Sequence, residues 1–107
     1  MKSMKFRQTL IQLILEGKKR TTWRLFDDKN LAAGDIVSFI VWETKEEAAK
    51  ARLIDVQEKT FMELTESDWE GHDRFQSDEE MYSTFSKYYG RDVSKDSHVK
   101  IIRFELM

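Results

Sequence analysis

The hydrophobic period of this chain changes from that of a helix to that of a strand at one glycine, Gly17. Before it, apolar residues recur at helical spacing, at Phe6, Leu10, Leu13 and Ile14. Residues 21–25 instead alternate with a period of two, so Thr22 and Arg24 are expected on one face of a strand. Glycine is the residue that helices most often place just past their last turn. The segment around Gly17 is therefore predicted to be a helix that turns directly into a strand.

The remaining pattern predicts a sheet accompanied by helices. The predicted strands are 4–6, 36–42, roughly 49–58 and 97–106, and the predicted helices are 60–69 and 77–89. Thr60 is expected to cap one helix, and Ser77 with Glu80 forms a capping-box pattern at the start of the other. This order predicts an α+β fold with a mostly antiparallel sheet. Because 36–42 is apolar on both faces, we expect the sheet to close into a small β-barrel with flanking helices.

Length and composition limit what such a fold can carry. The 107 residues suffice for a single domain, residues 1–107, with one core and one cleft. The net charge of −2 is not that of a broad duplex-binding surface, which needs a basic face. The chain has no cysteine, and its two histidines, His72 and His98, are isolated in the sequence. We therefore expect no metal site and no cofactor.

The N-terminal segment resembles a signal peptide only superficially. Its apolar residues follow early lysines, but Gln8, Thr9 and Gln12 interrupt the run and no small-residue cleavage site follows. No other stretch approaches the length of a membrane span. The sequence predicts a cytoplasmic protein that does not interact with membranes.

The stretch "GKKRTTWRL", residues 17–25, combines four basic side chains with two threonine hydroxyls. Two residues along a strand are about 7 Å apart, so Thr22 and Arg24 can share a small site, and Lys19 can fold back toward them. Such a site offers an amine, a hydroxyl and a guanidinium that can bind an oxyanion. Lys18 and Arg20 would add positive charge for substrate binding. The same residues are also ordinary at a helix end and on a strand, so a solvated turn remains the alternative.

Two residues of the polar segment near position 70 are further candidates for substrate binding. The ring of Trp69 could stack on a base, or it could anchor the loop. His72 could enter the same pocket and transfer a proton. By contrast, Trp23 and Trp42 lie in predicted strands and are expected in the core.

The segment "GKKRTTWR" resembles the G-x-K-x-x-T-x-R motif of the ASCH domain family, which is PUA-like. The motif falls on Gly17, Lys19, Thr22 and Arg24. The resemblance continues along nearly the whole chain. The "GD" of 34–35, the "EG" of 70–71, a helix ending in "YYG" and a last strand ending in "RFEL" follow in the family's order.

This resemblance implies a small β-barrel with a cleft beside the first helix that binds RNA or nucleotides. Some bacterial members hydrolyse the acyl amide of N4-acetylcytidine with a lysine, a threonine and a glutamate, and another member is described as a ribonuclease. By motif match the lysine and threonine are Lys19 and Thr22. The glutamate is best matched by Glu70, with Glu66 as the second candidate.

Two functions follow from the residues and the resemblance together. The first is a metal-independent amidohydrolase acting on an acylated pyrimidine nucleoside, with Lys19, Thr22 and Glu70 as catalytic residues. The second is a non-catalytic module that binds single-stranded RNA. The enzyme needs a snug pocket around Lys19 and Thr22, whereas the module needs an open groove with basic residues beyond 18–24. A ribonuclease, or a scaffold with an inert cleft, is the weaker reading.

Overall fold

The computed structural model describes residues 2–26, 29–69 and 75–107. Its elements are, in chain order, β1 (Lys2–Phe6), α1 (Gln8–Leu15), β2 (Thr21–Arg24), β3 (Ile36–Val41), β4 (Glu47–Thr60), a 3₁₀ turn (Phe61–Glu63), α2 (Glu66–Trp69), α3 (Asp78–Tyr89) and β5 (His98–Leu106). Among the helices of these described residues, none is long and apolar enough to cross a membrane.

The strands form one curled, five-stranded sheet in the order β1-β3-β4-β5-β2. The pairing of β1 with β3 is parallel, and the other three pairings are antiparallel. The predicted α+β fold with a mostly antiparallel sheet and flanking helices is confirmed. The sheet forms a half-barrel, so β1 and β2 remain as its two edges.

Two hydrophobic clusters stabilise the sheet. The first packs α1 against β1, β3 and β4, and its α1 residues are Ile11 and Ile14. The second packs α3 and the 3₁₀ turn against β2 and β5 around Trp23 and Phe61. In β2, Thr22 is paired with Ile102 of the first cluster and Trp23 with Ile101 of the second. This short strand therefore separates the two cores.

The first helix is shorter than the apolar pattern predicted. Phe6 belongs to β1 rather than to the helix, because α1 begins at Gln8. The buried face of α1 is formed by Ile11 and Ile14, while Leu10 is only partly buried. Ile11 lay outside the predicted stripe because that stripe was aligned on Phe6, which belongs to β1.

The strand predicted at 36–42 is present as β3, but the expectation that both of its faces are covered was wrong. Only alternate residues of β3 are fully buried, namely Val37, Phe39 and Val41. Trp42 lies just past the strand and is 40% exposed, so the prediction that it belongs to the core is corrected. The backbone N–H of Trp42 donates to the carbonyl oxygen of Phe6 at 2.8 Å, which holds the backbone of Trp42 beside the end of β1.

The predicted helix at 60–69 is a 3₁₀ turn followed by the single turn of α2. Thr60 does precede the turn, and the Glu63 carboxylate accepts hydrogen bonds from its backbone N–H and its hydroxyl at 2.9 and 2.8 Å. These bonds hold the chain at the start of a turn that is too short for a continuous helix.

The helix predicted at 77–89 is confirmed as α3. The Ser77 hydroxyl accepts from the backbone N–H of Glu80 at 3.1 Å, as a capping residue should. The Glu80 carboxylate accepts from the N–H of Gln76 at 2.9 Å rather than from that of Ser77. Gly90 ends the helix in the left-handed conformation.

Candidate functional site

A cleft of about 210 Å³ opens where the half-barrel is not closed, between β1 and β2. Residues of β1 and α1 form one side, β2 forms the floor, and α3 forms the opposite wall. Three residues of the G-x-K-x-x-T-x-R motif, Lys19, Thr22 and Arg24, line it together. The motif residues predicted to share a site are therefore brought into one cleft.

Gly17 positions Lys19 through the backbone geometry that ends α1. Its φ of 77° is left-handed, and its N–H donates to the carbonyl oxygen of Ile14 at 3.1 Å. The N–H of Lys18 donates to the carbonyl oxygen of Leu13 at 2.9 Å, which completes a Schellman motif. This motif reverses the chain, so the next side chain, that of Lys19, is directed inward and is only 3% exposed.

Thr22 lies on the face of β2 that is turned toward the first hydrophobic cluster. It pairs with Ile102 across the ladder to β5, and its side chain is 3% exposed. Trp23 faces the other cluster and is 2% exposed, so the prediction that it packs in the core is confirmed. The cleft thus has a buried hydroxyl and a buried lysine beside a buried indole.

Arg24 spans the gap between the two edge strands. One guanidinium nitrogen, Nη2, donates to the carbonyl oxygen of Lys5 in β1 at 3.0 Å. The guanidinium carbon lies 4.6 Å from the centre of the Phe6 ring. A guanidinium has five N–H donors, so this bond leaves further donors of Arg24, which lines the cleft, for a ligand.

The wall opposite β1 is aromatic. Phe75, Phe85, Tyr88 and Tyr89 line the cleft, and Thr84 adds a hydroxyl. Tyr89 is also partly buried against the second hydrophobic cluster, whereas Tyr88 is 54% exposed. The hydroxyl of Tyr89 accepts from the backbone N–H of Leu25 at 3.2 Å, which fixes α3 relative to β2.

The charge of the cleft is uniformly positive over the described residues. Four lining residues are basic, namely Lys5, Arg7, Lys19 and Arg24, and none of the lining residues in the described ranges is acidic. This combination of cations with aromatic rings suits a planar ligand that carries carbonyl oxygens or a phosphate. The described residues hold no group of three or more His, Cys, Asp or Glu side chains that could bind a metal ion.

Several predicted substrate-binding residues lie away from this cleft. Lys18 is exposed and its Nζ lies 3.7 Å from a carboxylate oxygen of Glu16. Arg20 lines a different depression, with Arg103 and Glu105, that shares no residue with the cleft. The two side chains that flank Lys19 are thus outside the lining of the cleft.

Trp69 is an anchor within the second hydrophobic cluster. Its ring packs edge-on against that of Trp23 with 4.4 Å between centroids, and it also contacts Phe75. It is not among the described residues that line the cleft. Glu66, the second candidate for the family's glutamate, is exposed at the start of α2.

Glu70 and His72 lie outside the described residues, which resume at position 75. The segment that leads to them is firmly attached. The backbone oxygen of Asp68 accepts from the indole Nε1 of Trp23 at 3.3 Å. Its carboxylate accepts from Lys59 Nζ and from the N–H of Thr65, both at 2.8 Å.

The charge state of Asp68 is set by these contacts. Burial disfavours the carboxylate, but the hydrogen bonds from Lys59 and from the N–H and hydroxyl of Thr65 outweigh it, so the pKa of Asp68 lies below its usual value. The ionised side chain therefore holds α2 against β4, while the backbone oxygen of Asp68 holds α2 against Trp23.

Sequence reasoning missed the basic side chains of Lys5 and Arg7 that line the cleft, and the exposed ring of Trp42 beside them. Lys5 and Arg7 alternate with Phe6, and this period of two indicates that both basic side chains leave the same face of a strand. The structure places both near the exposed Trp42, with Lys5 Nζ and the Arg7 guanidinium carbon 5.5 and 5.4 Å from its ring centre. The alternation was available in the sequence, but the proximity to β2 was not.

The model of the ASCH domain family matches residues 2–107 of the chain. Protein EF3133 from Enterococcus faecalis V583 is similar in structure, with a TM-score of 0.77 and 18% identity over 92% of this chain and 70% of that one. The ASCH domain from Lactobacillus crispatus JV V101 has a TM-score of 0.69 and 15% identity over 98% of this chain and 79% of that one.

Protein PF0455 from Pyrococcus furiosus is similar over almost its whole length. Its TM-score is 0.68 at 24% identity, over 99% of this chain and 96% of that one. At these identities the likenesses establish the fold. No curated protein matches the chain.

Proposed function

The chain belongs to the ASCH domain family, and on that premise we propose that its cleft binds the base of one pyrimidine nucleoside unit, either free or within RNA. The observation that carries this proposal is the convergence of Lys19 and Thr22. Both side chains are only 3% exposed, and both line one cleft that also has an aromatic wall. Polar groups buried beside aromatic rings are the usual means of fixing a flat ligand in one orientation.

The size of the cleft supports a ligand of this kind. Its volume of about 210 Å³ is below the range of about 300–1,000 Å³ typical of pockets for drug-sized molecules. A base, with part of its sugar, is the appropriate scale. Phe85 and Tyr88 offer aromatic contacts, and Lys19, Thr22 and Arg24 offer hydrogen bonds to carbonyl oxygens.

We further propose that this site can hydrolyse an acyl amide on the exocyclic amine of cytidine. Water adds to the acyl carbon, the bond from that carbon to N4 breaks, and a proton passes from the water to N4, giving cytidine and a carboxylic acid. In this scheme the neutral amine of Lys19 accepts the proton from water, and the Thr22 hydroxyl donates to the developing oxyanion. Glu70 would accept that proton from the Lys19 ammonium and donate it to N4. The family resemblance supplies the glutamate, and this proton transfer is part of the proposal.

The alternative is a non-catalytic module that binds single-stranded RNA. It is favoured by one observation, the presence of basic side chains beyond residues 18–24. Lys5 and Arg7 line the cleft from β1 and the start of α1, and the cleft is open to solvent. Binding and hydrolysis need separate measurements because both readings require the same Lys19 and Thr22.

Binding is tested by titrating the protein with cytidine, followed by protein NMR. We expect the amide signals of β2 and α3 to shift, and the affinity to fall when Thr22→Val or Phe85→Leu removes a hydroxyl or a ring. Lys50→Gln, which changes an exposed lysine on β4, is the control. Unchanged spectra at high cytidine concentration, or equal affinity in every variant, would refute the proposal.

Hydrolysis is tested by incubating the protein with N4-acetylcytidine without added metal and following cytidine release by chromatography. Lys19→Met keeps the volume of the buried side chain but removes the amine, so we expect release to stop. Lys18→Met is the matched control because the neighbouring side chain is exposed. Release that continues in Lys19→Met would exclude the proposed role of the amine, and no release by the unaltered protein would leave the binding module as the function.

A further inference from the structure

A second cavity adjoins the cleft and has nearly the same size. Its volume is about 230 Å³, compared with about 210 Å³ for the cleft. It is lined by residues of β1, the end of β2 and the segment after it, together with Trp42. Phe26 and Trp42 present partly exposed rings to it, at 42% and 40% exposure. Both cavities therefore combine aromatic faces with a volume suited to one base.

The two cavities share four lining residues, namely Lys5, Arg24, Tyr88 and Tyr89. Two of the four are cations, and the hydrogen bond from Arg24 to the carbonyl oxygen of Lys5 lies at this boundary. Consecutive bases of a polynucleotide are joined by one phosphate. A positive boundary between two cavities of equal size matches that pattern of charge.

Three basic side chains lie around the Trp42 ring, next to this boundary. Lys45 Nζ lies 3.7 Å from the centre of its ring, and the charged groups of Lys5 and Arg7 lie 5.5 and 5.4 Å from it. Within the described part of the chain, none of these three cations forms an ion pair with a carboxylate. The carboxylate of the adjacent Glu43 instead accepts from the backbone N–H of Gln8 at 3.0 Å. The three positive charges are thus available to an anion from solution.

We propose that the ligand is a single-stranded polynucleotide that places two consecutive nucleotides on this surface. One base enters the cleft at Lys19 and Thr22, and the neighbouring base stacks in the second cavity on Trp42. The linking phosphate lies on Lys5 and Arg24, and Lys45 and Arg7 contact the next phosphate along the strand. This inference rests on the proposed base-binding function of the cleft and extends it from one nucleotide to two.

The geometry favours a single strand over other polyanions. A duplex has its bases stacked and paired, so neither cavity could receive one, and an acidic peptide has no ring to fill a cavity beside Trp42. The contacts of the three cations with the Trp42 ring are weak at an exposed site, so a base can displace them onto a phosphate at low cost. RNA and single-stranded DNA share this chemistry.

The test compares ligands of increasing length on the full chain. The probes are cytidine, cytidine 5′-monophosphate, the dinucleotide CpC, and hexamers of cytidylate as RNA and as DNA. Affinities are measured by calorimetry between about 50 and 200 mM salt, the range in which phosphate contacts change affinity most clearly. We expect CpC to bind about tenfold or more tightly than the monophosphate, because it adds one stacked base.

Trp42→Ala and Lys45→Gln separate stacking from charge. Trp42→Ala should weaken CpC and the hexamers about tenfold or more, and leave cytidine unaffected because Trp42 does not line the cleft. Lys45→Gln should lower the salt dependence of hexamer binding by about 0.7 in the logarithmic slope, the value for one phosphate contact of a single strand. Lys50→Gln, an exposed lysine on the outer part of β4, is the control for removal of charge.

The outcomes distinguish this inference from the function on which it rests. If cytidine binds but CpC binds no more tightly than the monophosphate, or Trp42→Ala leaves CpC unchanged, the two-nucleotide surface is refuted and the cleft stands. If the hexamers bind and Phe85→Leu has no effect on them, the cleft is not occupied and both proposals fail. Equal binding of polyaspartate or of duplex RNA would refute the single-strand inference. Comparison of the two hexamers assigns the strand to RNA or to DNA.

Discussion

Arg24 and Lys5 join the two edge strands of the half-barrel through a hydrogen bond of 3.0 Å from guanidinium Nη2 to backbone oxygen. The same guanidinium lies over the Phe6 ring. The bond connects β2 and β1, which sit at opposite ends of the sheet order. Arg24 therefore has a structural role in addition to any contact with a ligand, and the two roles can be separated by experiment.

We expect Arg24→Met to lower the free energy of unfolding by about 1–2 kcal/mol, from one lost hydrogen bond and one lost cation–π contact. The methionine stem keeps apolar contact with Phe6. Urea denaturation measures the loss, and hydrogen exchange should locate it in the amides of β1 and β2. Arg20→Met, a change to an exposed arginine just before β2, should shift stability by no more than about 0.5 kcal/mol. Equal effects of the two substitutions would contradict the bridging role.

The motif requires glycine at position 17 because of the backbone conformation there. A Cβ at this position would meet no atom within 4 Å, so space does not exclude a side chain. The φ of 77° does disfavour a side chain, because a left-handed conformation costs an L-residue about 1–2 kcal/mol. Gly17→Ala should lose about that amount in urea denaturation, and Gly17→Asn should lose less because asparagine tolerates this region. An alanine variant as stable as the unaltered protein would exclude this explanation.

The positions of Trp23 and Trp42 predict opposite sensitivities to the same substitution. Trp23→Phe removes the hydrogen bond to the Asp68 backbone oxygen and opens a gap beside Trp69, so we expect a loss of about 1–3 kcal/mol. Trp42→Phe changes an exposed ring and should alter stability by about 0.5 kcal/mol or less. Thermal unfolding of the two variants gives the comparison directly. A larger loss for Trp42→Phe would contradict the assignment of Trp42 to the surface.

The sequence predicted the elements well where local chemistry determines them. Ser77 and Gly90 mark the two ends of α3 because capping and a left-handed terminus are properties of a few adjacent residues. Gly17, Lys19, Thr22 and Arg24 were likewise recognisable because they lie within eight residues of one another.

The relations that were missed are between distant residues. The parallel pairing of β1 with β3, and the curl that brings Lys5 to Arg24, depend on the whole sheet. Trp42 was assigned to the core because it follows an apolar run, yet the strand ends at Val41 and the chain turns away. The alternation of residues within one strand indicates which face of the strand a side chain occupies. It does not indicate which other strand of the sheet lies next to that face.

We expect the buried carboxylate of Asp68 to make the stability of the fold depend on acid pH. Its pKa is lowered in the folded protein, so its ionised form stabilises the fold at any pH above the usual aspartate pKa of about 3.9. That contribution is lost as the pH falls below this value through the lower pKa of the folded state. Acid should therefore weaken the contact that holds α2 against Lys59.

Asp68→Asn removes the charge while keeping the shape of the side chain. We expect a loss of about 1–3 kcal/mol near pH 7, because Lys59 and Thr65 lose their charged acceptor but Lys59 can still reach water. As the pH falls below about 4 the difference from the unaltered protein should shrink, and it should be gone once the pH is below the lowered pKa of Asp68 in the folded protein, where both side chains are neutral. Urea denaturation over a pH series measures both effects, with the exposed Asp55→Asn as control. If Asp68→Asn were destabilised equally at every pH, its effect would come from packing, and the ion pair with Lys59 would not be what attaches α2 to the sheet.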